Sequence, residues 1–374
     1  MHVCLLGGET LEFSIPEETL RTIQTRALAV LIGFAFGAIL ILLTGNDPLI
    51  AYVSLFNGIL GSVYSITETL VKTIPLLLAG LGMAIAFRCK AINIGGEGQI
   101  YMGALGATFL TLTFGGTPAI VLFPLGLAGG FLGGGLWAVI PGILKAKIKV
   151  NEILTSMMMN FVAILFVSYL ITGSGPLHDP LSPGWATSPP IPSSVRLPSL
   201  LPRSRLHCGL FIAIASTIIV YVLLQKTTLG YQIKAVGANP EAARVSGISV
   251  TRAVLISMLL SGGFAGLAGM VEVFGIQYRL VGGFSVNYGY TAIMVALFGK
   301  LNPWGTALSA LLFGALIVGA DTMARQTGVA IFIAYTLQGL IVVTAVAFEH
   351  LRRRDLVRLV SWIRIWKRGE NKSG

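Results

Sequence analysis

Residues able to do chemistry are few in this sequence, and they gather in polar stretches set among long apolar runs. Residues 87–107, FRCKAINIGGEGQIYMGALGA, place Asn93, Glu97 and Gln99 among Gly95, Gly96, Gly98 and Gly103. Amides and a carboxylate at the foot of an apolar run can hydrogen-bond a polar solute, and glycines tolerate the close approaches and helix breaks that such a site needs. A carboxylate at membrane depth costs roughly 2.5 to 3.5 kcal/mol on insertion scales, which makes Glu97 a functional candidate. The competing reading is a capping residue at the membrane interface, beside Arg88 and Lys90. Residues 150–160, VNEILTSMMMN, let Asn151 cap a helix and Glu152 complement its dipole. Asn160, one to two turns further on, then needs a partner on a neighbouring helix or in a solute. Residues 277–290, QYRLVGGFSVNYGY, add Gln277 and Asn287 after a helix lined by Gly262, Gly263, Gly266 and Gly269 and ending at Glu272. Glycine-rich interruptions beside short apolar runs in both halves point to a central polar pathway, although no residue-level repeat is visible.

The fourth stretch, residues 226–252, is the one long polar segment inside the apolar chain and reads KTTLGYQIKAVGANPEAARVSGISVTR. Asn239 before Pro240 is a helix cap followed by the residue best tolerated at a first helical position. Glu241, Ala242, Ala243 and Arg244 then make one or two turns, which Gly247 stops. The spacing predicts a short small-residue helix held out from the membrane, either a plain solvated loop or a handle for another protein.

Several chemistries are excluded. No GxxxxGK[ST] occurs, and Gly299-Lys300 is followed by Leu301, so the chain cannot hydrolyse ATP alone. The histidines His2, His178, His207 and His350 form no metal spacing, no cofactor site is expected, and no nucleophile–base or paired-carboxylate set stands in a plausible pocket. Cys4, Cys89 and Cys208 give an odd count, and no disulfide is expected. An enzyme has little to stand on.

The elements that hold these residues are membrane spans. The chain has 374 residues, 55% hydrophobic and 11% charged, and a mean hydropathy of +0.83, far from the roughly one-quarter charged residues of a soluble domain. Apolar runs at 27–44, 69–87, 99–114, 119–143, 152–172, 208–225, 253–275, 285–299, 303–320 and 329–347 predict an all-α polytopic membrane protein with about ten spans. With that count, 20 of the 26 basic residues fall on one face, which places both termini and the 226–252 loop in the cytoplasm. Positive-inside bias and anionic lipid account for the net charge of +11 with no nucleic acid. Expected domains are a cytoplasmic segment at 1–26, a membrane domain at 27–347 and a basic tail at 348–374. Outside the membrane, residues 46–68 carry apolar positions at helical spacing, expected as an amphipathic helix on the outer leaflet. The segment 173–207 is rich in proline and is expected as an irregular ordered loop that could receive a partner.

The run Gly230, Ala235, Gly237, Asn239, Pro240, Ala242, Ala243, Gly247 resembles the coupling segment of ATP-binding-cassette importer permeases of the nucleoside and simple-sugar branch. NIGGEGQ at 93–99 is similar to that family's NIGxEGQ signature, and Asn151-Glu152-Ile153 resembles its NEV-type motif with isoleucine for valine. The likeness covers roughly residues 69–347. It implies the type II importer architecture with two inverted halves, in a bacterial plasma membrane. It also implies a separate ATPase that hydrolyses the ATP, an extracytoplasmic solute-binding protein or lipoprotein, and a second similar permease, giving a heterodimer. By the same resemblance Gly237, Asn239, Pro240, Glu241, Ala242, Ala243 and Gly247 couple to the ATPase. Asn93, Glu97, Gln99, Asn160, Gln277 and Asn287 border a weakly charged path for a small neutral polar solute, a nucleoside or simple sugar. The alternative is an ion- or proton-coupled secondary transporter, for which only Glu97, Glu272 and Asp321 come near membrane depth.

Overall fold

The computed structural model describes residues 17–330 and 332–350. The expected N-terminal segment at 1–26 and basic tail at 348–374 lie largely outside those residues. Thirteen α-helices are described: α1 Glu17–Leu43, α2 Pro48–Leu60, α3 Val63–Arg88, α4 Gly96–Thr113, α5 Ala119–Ile143, α6 Glu152–Ile171, α7 Gly209–Lys226, α8 Thr228–Ala238, α9 Pro240–Val245, α10 Val250–Glu272, α11 Tyr288–Phe298, α12 Pro303–Thr327 and α13 Phe332–His350. Two continue into π turns, α5 at Leu144–Ile148 and α10 at Val273–Gln277. All ten apolar runs fall on helices. Six of these, α3, α5, α6, α7, α10 and α12, are long and apolar enough to cross a membrane. The chain is a multi-pass integral membrane protein. At 11 residues, α11 is only about 16 Å long, roughly half the hydrocarbon thickness.

Side-chain caps set several helix starts. Ser62 accepts from the Ser65 N–H at 3.0 Å, Asn151 from Ile153 at 2.9 Å and Asn302 from Trp304 at 3.0 Å. The first of these alters the expectation for 46–68. Instead of one surface helix, α2 stops at Leu60 and α3 starts at Val63, so Glu68 and Lys72 belong to a long helix. Helical spacing alone ran through the break because Gly61 and Ser62 interrupt it without moving the apolar positions.

The chain falls into two compact units, one of 49–334 and one joining 1–48 to 335–374. In the second, Gly33 of α1 lies against Ile341 of α13. The larger unit holds every polar stretch singled out above. At its centre α3 packs on α10, α11 and α12, burying Ile74, Leu76, Leu78, Leu81, Met83 and Ile85 completely. Beside it, α4, α5 and α10 meet backbone to backbone. A Cβ on Gly103 would fall 2.2 Å from Cα of Gly266, one on Gly266 2.1 Å from the Gly130 carbonyl, and one on Gly134 2.3 Å from the Gly262 carbonyl. Small residues permit this contact, in which dispersion and helix–helix packing replace the hydrophobic drive that lipid does not supply.

Candidate functional site

The non-helical link between α3 and α4, residues 89–95, delivers Asn93 into the centre of the larger unit, where it is fully buried. Asn93 and Gln99 pair amide to amide. Asn93 Nδ2 donates to Gln99 Oε1 and Gln99 Nε2 donates to Asn93 Oδ1, both at 2.9 Å. Asn93 Nδ2 also donates to Ser261 Oγ of α10 at 2.9 Å, and the Gly95 N–H donates to Asn93 Oδ1 at 2.9 Å. Asn160 of α6, also fully buried, accepts from the Gly98 N–H at 2.8 Å and donates to the Ile94 carbonyl at 2.9 Å and to Tyr290 Oη at 3.1 Å. Glu97, in the first turn of α4, accepts from the Gly289 N–H of α11 at 2.7 Å. Gly289 itself is obligatory there, since a Cβ would fall 2.1 Å from the Glu97 nitrogen. Buried polar groups are retained only when their bonds are made. This network makes them across α4, α6, α10 and α11, the elements that a helix break would otherwise leave loose.

The end of the larger unit that carries Arg88, Lys90, Lys145 and Lys300 also carries α8 and α9. Thr227 caps α8 by accepting from the Gly230 N–H at 3.1 Å. Asn239 caps α9 by accepting from the N–H groups of Glu241 at 3.0 Å and Ala242 at 3.2 Å. Gly247, at φ +81°, closes α9 in the left-handed region, and Ser249 caps α10. Asn239, Pro240, Glu241, Ala242, Arg244 and Val245 are exposed, whereas Ala243 is turned inward and buried. Val245, 89% exposed, was not singled out in the sequence, although an apolar residue in a polar knob was the available signal. Gly237 seats α8 on the end of α3, where a Cβ would fall 1.8 Å from the Arg88 carbonyl, and Lys90 Nζ donates to the Ala238 carbonyl at 3.3 Å. Arg88 Nε in turn donates to the Leu301 carbonyl at 2.8 Å, and Lys145 joins the Lys90 carbonyl at 3.2 Å to the carboxylate of Glu152. The exposed knob is thus fastened to the last turn of the central helix.

Residues 65–346 match the family described as branched-chain amino acid transport system, permease component. The chain belongs to that permease family. It is 37% identical over 311 residues to the guanosine ABC transporter permease NupP of Bacillus subtilis, covering 81% of this chain and 86% of that one. It is 36% identical over 336 residues to the glucose ABC transporter permease TsgB13 of Haloferax volcanii, covering 88% of each chain. The nucleoside ABC transporter permease NupB of Lactococcus lactis is 34% identical over 312 residues, covering 82% of this chain and 86% of that one. A chain of this family is a transport permease subunit and not an enzyme. The family works with an ATPase and a solute-binding protein.

The permease's other end carries the segment 173–207, expected as irregular and found so. It is also ordered, because it bonds to the π turn of α10 and to residues 278–282 that follow it. The Leu197 N–H donates to the Phe274 carbonyl at 2.9 Å, Ile191 to Tyr278 at 2.9 Å, Ser188 to Leu280 at 2.8 Å and Gly282 to Ala186 at 2.8 Å. Arg205 forms a two-point ion pair with Glu68 of α3. Of the two remaining polar candidates, Gln277 ends the π turn of α10 and is half-buried, while Asn287 is exposed and precedes α11 in the left-handed region at φ 59°, without a side-chain capping bond.

His207 lies at this end, its ring wedged between Gly209 and Gly275 and its Nδ1 accepting from the Gly209 N–H at 3.1 Å. Burial pushes its pKa down from 6.5 to about 4. The unfolded chain therefore takes up this proton at higher pH than the folded one. Stability is full above about pH 6.5 and is lost as pH falls toward about 4, by up to about 3 kcal/mol. Melting curves of the detergent-solubilised permease between pH 7.5 and 4.5 should show the decline, and His207→Gln should flatten it. Parallel pH profiles for the two chains would count against this assignment.

Proposed function

We propose that this chain is the membrane subunit of an ATP-driven importer of nucleosides or simple sugars, with nucleosides favoured. The observation that carries the reading is the exposed, doubly capped knob of α9, fixed to the end of the central helix α3 in a chain of a transport-permease family. Two of the three relatives described above are named for guanosine or nucleoside transport and one for glucose. The basic end faces the cytoplasm by the positive-inside rule. There Gly237, Asn239, Pro240, Glu241, Ala242, Ala243 and Gly247 form the seat of the ATPase, with Val245 added from its exposure. Closure of the ATPase pushes α9, and the Gly237 contact and the Lys90 bond pass the push to α3. On the outer face, 173–207 receives the solute-binding protein, and a second similar permease completes the path. Asn93, Glu97, Gln99 and Asn160 frame that path. Their bonds to each other and to neighbouring backbone hold its wall in shape.

The test is purification of the tagged permease from its native membrane, together with guanosine uptake by intact cells. An ATPase should co-purify through the 226–252 loop, and uptake should persist when a protonophore collapses the proton gradient while ATP is maintained. Uptake that tracks the gradient, with no ATPase attached, would show a secondary transporter instead.

A further inference from the structure

Within the segment 173–207, Leu181 is 90% exposed and Trp185 74% exposed. Both stand on a tip that the sequence folds into two consecutive tight turns. Pro180 and Pro183 each supply the fixed φ of a turn's second position. The turns close with the Ser182 N–H on the Asp179 carbonyl at 3.0 Å and the Trp185 N–H on the Ser182 carbonyl at 3.2 Å. Gly184, at φ +90°, fills the third position of the second turn, where a side chain would be strained. Asp179 is buried and braces the first turn, its carboxylate accepting from the Leu181 N–H at 3.0 Å and from Ser182 Oγ at 3.1 Å. At the base of the tip the Asp179 N–H donates to the Thr187 carbonyl at 2.9 Å.

Arg279, two residues beyond the π turn of α10, fastens this tip to the membrane helices. Its Nη1 lies 3.6 Å from Asp179 Oδ2 and donates to Ser182 Oγ at 3.5 Å, and Thr187 pairs with Val281 in an isolated bridge. The tip is thereby continuous with α10, which packs on α3, α4 and α5. Lipid is the ordinary cover for an apolar side chain beside a membrane, and tryptophan is common at its interface. A fluid bilayer presents no fixed shape and gains nothing from a loop held still. A protein pocket does gain, because a preformed loop spares the cost of ordering it on binding. Charge favours a protein as well. Asp179 is the one acid in 173–207 and is buried, whereas Arg196, Arg203 and Arg205 are exposed, so the segment offers a partner cations and no free carboxylate.

Resting on the importer reading above, we infer that Leu181 and Trp185 are the apolar anchors on which the solute-binding protein docks, entering a cleft of that protein rimmed by carboxylates. Rigid apolar anchors seated in a pocket carry most of an interface's energy, and complementary charge around them steers the approach. Because Arg279 and the Thr187–Val281 bridge tie the tip to the end of α10, docking bears directly on that helix.

The photo-crosslinker benzoylphenylalanine, placed at position 185 in living cells and irradiated, reports what touches the tip. The same probe at Leu165, an exposed residue of α6, is the control. Mass spectrometry should identify a solute-binding protein joined at 185 and absent at 165. That protein, purified, is then titrated onto the assembled importer in nanodiscs. Trp185→Ala should weaken its binding at least about tenfold and Leu181→Ser at least about threefold. Both side chains are exposed, so neither change should move the melting temperature of the importer. Crosslinks at 185 to lipid alone, products containing no solute-binding protein, or unchanged binding by Trp185→Ala overturn the docking site. ATP-driven uptake that continues despite such a result leaves the importer reading standing. Uptake that follows a proton gradient, with no ATPase attached, sinks the importer reading itself.

Discussion

An Ala242→Arg permease is expected to reach the membrane in wild-type amounts and to lose ATP-driven uptake at least about tenfold, a change worth roughly 1.4 kcal/mol of coupling. Ala242 is exposed on α9, and its N–H is already held by Asn239, so the substitution leaves the knob folded. The long cation instead occupies the space that a groove on the ATPase must close around, and interface positions at the centre of a small contact carry most of its energy. Ala243 provides the comparison. It is buried at the α9 corner, so Ala243→Arg should lower the amount of folded permease as well as its activity. Quantitative blotting alongside uptake separates the two outcomes. Normal uptake by Ala242→Arg would remove α9 as the point of contact.

Asn160→Leu should lower thermal stability by about 2 to 3 kcal/mol, because it strips partners from one buried and two half-buried groups at once. The Gly98 N–H, the Ile94 carbonyl and the Tyr290 hydroxyl all lose Asn160, which is itself fully buried. Leucine has the same number and branching of heavy atoms, so no cavity opens and the deficit comes chiefly from lost hydrogen bonds. Asn160→Asp keeps the acceptor for Gly98 and loses the two donated bonds, so it should fall between. Fluorescence-detected gel filtration after stepwise heating measures the order. Equal melting of all three chains would mean that the network braces nothing.

The helices were legible where a residue's neighbours in sequence decide its state. Ten apolar runs near bilayer length gave ten helices, and Asn239-Pro240 with Gly247 gave α9 and both of its boundaries. What decides the sites was less legible, because it depends on residues far apart. Asn160 needed a partner, but nothing in residues 150–160 says that the partner is the N–H of Gly98, 62 positions away. Lys72 falls within the apolar run at 69–87. Nothing near it in sequence says that it meets Tyr288, 216 positions on. The glycines of α4, α5 and α10 advertised close packing but not which helices would touch, since a residue without a side chain carries no directional preference.

The bare contact among α4, α5 and α10 sets how this protein can deform. Side chains that interdigitate can trade rotamers and slide, but three backbones separated by nothing softer than hydrogen atoms cannot, so the trio is a single stiff plank. Whatever stroke the motor delivers must be taken up along its margins, at the irregular link 89–95 and at the bend between α7 and α8.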